Sequence, residues 1–91
     1  MKAAQLVGER LLLARRRAGM DQKEVGALLG VTGATISRWE QGLRGPGWEE
    51  IYKLAKVYRV SIGFFFEGIE AAEVDSQGKT PTSGRVLVGA Y

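Results

Sequence analysis

Neither cysteine nor histidine occurs in the 91 residues. Disulfides and thiolate metal sites are therefore excluded, and the commonest general base and commonest metal ligand are both missing. Proline is scarce, with Pro46 and Pro81 the only two. No apolar run reaches the length of a membrane span or of a signal-peptide core, so a soluble protein of the cytoplasm, with no membrane partner, is expected. Acidic side chains are outnumbered by basic ones, 10 to 13. The imbalance sits in one part of the chain: residues 1–68 carry 11 basic and 7 acidic residues, whereas residues 69–91 carry 2 and 3. A surplus of this size is compatible with a polyanionic partner. The length allows one small domain, and burial at this size is marginal enough that help from a second chain would be unsurprising.

What is present is helical periodicity. Val7, Leu11, Ala14 and Ala18 recur at helix spacing, Arg15, Arg16 and Arg17 suit the last turn, and Gly19 stops the helix. Leu13 points roughly opposite Leu11, which calls for a second covering surface. Asp21 and Glu24 form a box-like N-terminal cap for "QKEVGALL", whose inward residues are expected to be Val25, Leu28 and Leu29. Gly30 ends that helix. Thr32 caps the next, residues 33–41, with Ile36 and Trp39 inward and Gly42 as its stop. After the loop "LRGPG", Trp48, Ile51, Tyr52, Leu54, Ala55 and Tyr58 give a strong stripe, and Trp39 and Trp48 are expected in the core. Ser61 is placed to cap a last short helix, "IGFFFEG", with Ile62 and Phe65 completing the core. Beyond Gly68 the chain reads as a polar linker followed by the β-prone, apolar "RVLVGAY".

Two short helices joined by a few residues around a glycine form a helix-turn-helix. Gly26 is small where the helices cross, Gly30 suits a positive φ, and Val25, Leu29, Val31, Ile36 and Trp39 rest the unit on a core. The second helix of such a unit enters the major groove by its N-terminal end. Its outward face here is Gly33, Ala34, Thr35, Ser37 and Arg38, small enough for close backbone approach to DNA.

On the motifs "GERLLLARRRAGMDQKEVGALLGV", "ATISRWEQG" and "LAKVYRVSIGFFFEG", the stretch from Gly8 to about Gly68 resembles the DNA-binding domains of Cro/C1 repressor (XRE) type. The resemblance implies an all-α, five-helix lambda-repressor-like domain over residues 1–68 with a C-terminal extension, 69–91. It implies a homodimer on palindromic double-stranded operator DNA, a role in transcription, most simply as a repressor, and a prokaryotic or phage setting. By the same resemblance Gln22 anchors phosphate. Gly33, Ala34, Ser37 and Arg38 occupy base-reading positions, and Thr32, Thr35, Gln41 and Arg44 complete the DNA-binding set. Arg15 and Glu40 match a pair that forms a buried salt bridge in relatives. The chain departs from the pattern at Gly33 and Ala34, where relatives often carry Gln, Arg or Lys. Neither residue hydrogen-bonds a base edge through its side chain, so direct readout leans on Arg38 and DNA shape supplies much of the rest.

No cofactor, metal or small-molecule effector is indicated. Glu49 and Glu50 are adjacent helix residues that do not face each other and have no accompanying base, so no enzyme is expected. Phe64 and Phe66 are candidates for a dimer contact or for covering the tail, and Val86 and Val88 for a dimer contact within a tail that is either disordered or a strand paired with its two-fold mate. The rival to the DNA-binding reading is a protein-interaction module, for example an antitoxin, in which the same fold mainly binds a partner protein.

Overall fold

Helix formation begins earlier than the periodicity predicts. The computed structural model describes residues 3–68, and its first helix, α1, spans Ala3–Ala18. Ala, Leu, Gln, Glu and Arg dominate that stretch and are all strong helix formers. Three more helices follow: α2 (Gln22–Leu29), α3 (Gly33–Gln41) and α4 (Trp48–Tyr58). Ile62–Phe66 close the fold as a 3₁₀ turn. The expected fifth α-helix is thus corrected to a 3₁₀ turn, while the all-α class stands among the described residues. Five residues cannot sustain an α-helical hydrogen-bond ladder, and the Phe64 amide instead bonds the Ser61 carbonyl at 3.0 Å. The Ser61 side chain caps nothing.

Every element contributes to one core. Leu11 and Ala14 come from α1, Val25 from α2, Ile36 and Trp39 from α3, Ile51, Leu54, Ala55 and Tyr58 from α4, and Phe65 from the 3₁₀ turn. Phe65 is fully buried and meets Tyr58 edge to face, with ring centroids 6.4 Å apart. Helices α1 and α3 cross at Gly8, where a Cβ would lie 2.5 Å from the Glu40 carbonyl oxygen and 2.8 Å from that of Trp39. Backbone atoms cannot yield to a side chain, so only glycine permits this approach. Arg10 ties the 3₁₀ turn to α1. Its Nε donates to the Phe64 carbonyl (3.0 Å), a terminal nitrogen donates to Glu67 (2.7 Å), and the guanidinium lies 3.9 Å from the Phe64 ring centre.

Several expected core residues lie outside it. Leu28 is exposed because the buried face of α2 is set by Val25, Gly26 and Leu29. At about 100° per residue Leu28 falls well to one side of that face. Trp48 is 80% exposed. It opens α4, one turn before Ile51, where the core ends and the indole projects beyond it. Tyr52 and Ile62 are also exposed, Tyr52 because it stands about a quarter-turn from Ile51. Ala18 is exposed in the final turn of α1, past the last buried position, Ala14. The linker and the "RVLVGAY" strand expected for residues 69–91 lie outside the described residues.

Candidate nucleic-acid interface

The unit that presents α3 is built from local signals. Asp21 accepts from the Glu24 amide (2.7 Å) while the Glu24 side chain accepts from the Asp21 amide (2.9 Å), a reciprocal cap that starts α2. Gly30 ends α2 at φ 77°, a left-handed conformation that costs glycine nothing and other residues about 1 kcal/mol or more. The turn then folds tightly over Gly26, with the Val31 amide bonded to the Gly26 carbonyl at 2.8 Å. A Cβ at Gly26 would lie 2.6 Å from the Val31 oxygen, so the turn requires glycine there too. Thr32 restarts the helix, its hydroxyl accepting from the Thr35 amide at 3.1 Å.

A polar network locks this unit to α1. Glu40, on α3, accepts from Arg15 Nε (2.6 Å) and from a terminal nitrogen of Arg15 (3.1 Å), a two-point contact. Arg15 also donates to the Met20 carbonyl (2.9 Å), and Gln22 at the start of α2 donates to Glu40 Oε1 (2.9 Å). Three helices therefore meet at one carboxylate. Both ionic side chains are nearly out of water, with 13% of Arg15 and 5% of Glu40 exposed. The hydrogen bond from Arg15 to Glu40, reinforced by the carboxylate charge, holds the guanidinium above its ordinary pKa. Burial pushes the hydroxyl of Tyr58 up as well, with the Glu40 charge adding to the effect.

The outward face of α3 has a small leading edge and one long cation. Ala34 and Arg38 are exposed, and Gly33, Thr35 and Ser37 are half-buried. A Cβ on Gly33 would make only ordinary contacts with Gln22 and Lys23, so Gly33 sits where the helix starts of α2 and α3 adjoin. The Thr35 hydroxyl is bonded to that of Thr32 at 3.0 Å, and Ser37 Oγ accepts from Gln41 at 2.8 Å. Neither Arg38 nor Arg44 has an ion-pair partner among the described residues. The two line one cleft of about 410 Å³, together with Thr35, Trp39, Gly47 and Glu50. The structure thus brings Thr35, Arg38 and Arg44 to one surface beside the α3–α4 loop. Gln22 stands at the start of α2, fixed by Glu40.

Glu50 is a member of this cleft that reasoning from the sequence missed. It lies 12 positions from Arg38, and its only local signal is its place in the first turn of α4. The bond from Gln22 to Glu40 was missed for the same reason, since the two are 18 residues apart. Of the dimer candidates, Phe64 is half-buried beneath Arg10 and Phe66 is exposed; Val86 and Val88 lie outside the described residues. Among the described residues no cluster of acidic side chains is arranged to hold a metal, and no helix is long and apolar enough to cross a membrane.

Residues 11–65 match the helix-turn-helix family. The chain belongs to the Cro/C1-type helix-turn-helix family. Within that family an uncharacterized HTH-type transcriptional regulator of Sinorhizobium medicae is 34% identical over 61 residues, which make up 67% of this chain and 44% of that protein. The repressor protein C2 of Salmonella phage P22 is 31% identical over 64 residues, 70% of this chain and 30% of that protein. This helix-turn-helix chain therefore matches less than half the length of either relative. A crystal structure of the P22 c2 repressor in complex with a synthetic operator superposes with a TM-score of 0.64 at 31% identity, covering 70% of this chain and 97% of that one.

Proposed function

We propose that this helix-turn-helix protein is a sequence-specific transcriptional regulator that occupies palindromic operator DNA as a homodimer, most simply as a repressor. The observation that carries the reading is the face of α3. It offers a small leading edge at Gly33 and Ala34, behind which Arg38 stands exposed and unpaired beside Arg44. An arginine at that place reads guanine through its O6 and N7, and Ala34 suits a thymine methyl. Gln22, Thr32, Thr35, Gln41 and Arg44 surround the reader as phosphate and sugar contacts, which fix register without reading sequence. The operator complex of the P22 c2 repressor supports the same docking by likeness. Two-fold pairing of subunits fits a palindrome because protein and DNA then share one symmetry axis.

Selection of bound sequences from a random duplex pool tests the proposal. The expected outcome is an enriched inverted repeat with half-sites about one helical turn apart. Failure to enrich any sequence, with binding indifferent to salt, would instead favour the reading in which the fold mainly binds a partner protein. The exposed apolar surface around Trp48 is the feature that favours that second reading.

A further inference from the structure

An apolar groove of about 320 Å³ adjoins the basic cleft at the α3–α4 loop. It is lined by Ala4 and Val7 of α1, Pro46 of the loop, Trp48 and Ile51 of α4, and Phe66 of the 3₁₀ turn. Trp39 and Gly45 line both the groove and the cleft. Trp48 is 80% exposed and Phe66 43% exposed, although both border this concave, almost wholly apolar surface. A surface of that kind on so small a domain calls for an occupant.

We infer that the occupant is the chain's own apolar segment, Val86-Leu87-Val88. The last described residue, Gly68, stands two positions after Phe66, which lines the groove, so the chain continues from beside it. Sixteen residues, 69–84, separate that exit from Arg85. A coil of that length spans about 20–24 Å, enough to bring the segment back without stretching. A tether this short gives an effective concentration on the order of millimolar, so a contact with a Kd as weak as about 0.1 mM between separate molecules would be mostly occupied within one. The segment matches the groove in chemistry: three consecutive aliphatic side chains, with no charge between Arg85 and Tyr91. A second copy lacks the tether, so its occupancy depends on concentration where that of the segment does not.

The test uses the full chain and a full-chain Leu87→Asp/Val88→Asp variant, and reads acrylamide quenching of tryptophan emission. Trp39 also lines the groove but is only 6% exposed, against 80% for Trp48, so the change in quenching comes mainly from Trp48. With the segment docked, quenching is about twofold weaker than in the variant, the emission is blue-shifted, and both persist through about hundredfold dilution. Equal quenching in the two chains overturns the inference. Protection that disappears on dilution also overturns it, because the occupant is then a second copy, including a ribbon paired across a dimer. Hydrogen exchange gives the reciprocal reading. Trp48→Ser, at an exposed position, speeds exchange at residues 86–88 severalfold, and unchanged exchange there counts equally against docking.

Discussion

Arg38 and Gln22 are both polar residues of the helix-turn-helix, and the proposed complex gives them different work. Arg38 is exposed and unpaired, so Arg38→Ala is expected to relax preference at one position per half-site, at about 1–3 kcal/mol, while the rest of the selected consensus persists. Gln22→Ala is expected to weaken binding to all sequences about equally, as competition between operator and unrelated duplex would read out. Arg15 and Glu40 form a unit. Removing Arg15 leaves a nearly buried carboxylate with Gln22 as its remaining side-chain partner, a loss of about 3–5 kcal/mol. Melting of Arg15→Met, Glu40→Gln and the double variant is therefore expected to show a double loss well short of the sum of the singles. Tyr58 gives the domain an alkaline limit. Its folded-state pKa is raised by burial, so the unfolded chain gives up the phenolic proton first. The stabilisation is intact below the unfolded value of about 10 and falls as pH rises through and above it. Thermal melts from pH 9 to 12 should show a steeper decline for the parent protein than for Tyr58→Phe, roughly in proportion to the titrating group removed.

At the scale of elements, the crossing of α1 over α3 depends on Gly8. By propensity alone, alanine inside a helix gains about 0.5–1 kcal/mol over glycine. The Cβ would meet two carbonyl oxygens of α3, however, and overpacking against backbone costs about 1–3 kcal/mol or more. Gly8→Ala should therefore lower the melting temperature, and a rise would mean that the two helices separate without cost. Since α3 is the helix that faces DNA in the proposed complex, a shift at this crossing displaces Arg38 and should weaken operator binding even where the variant remains folded.

Across the whole molecule most of the positive charge lies in positions 1–68, with 11 basic against 7 acidic residues. Operator affinity should fall linearly on a logarithmic plot against salt, with a slope of about 0.9 for each phosphate neutralised. Arg44, exposed in the loop beside the cleft, is one such contact in the proposed complex. Arg44→Ala is expected to reduce that slope by about one per subunit and leave the selected consensus unchanged, a result that titration at several salt concentrations would give.

The caps and stops of α2 and α3 were legible from the sequence because they depend on neighbours along the chain. Asp21 with Glu24, Thr32, Gly30 and Gly42 set the ends of α2 and α3 through contacts spanning three or four residues, and the structure places those ends where local chemistry does. Apolar spacing likewise identified Leu11, Ile36, Trp39 and Leu54 as core. Periodicity could not say where the core stops, because an amphipathic stripe carries no information about how far a neighbouring helix extends. Trp48 lies outside the core for that reason, and Leu28 because packing centred the buried face of α2 on Val25, Gly26 and Leu29. The close approach at Gly8, the bond from Gln22 to Glu40 and the meeting of Arg38 with Glu50 in one cleft join positions distant in sequence. Their distances depend on how whole helices cross, so they are decided by tertiary packing, as is the apolar groove beside the point where the chain leaves the domain.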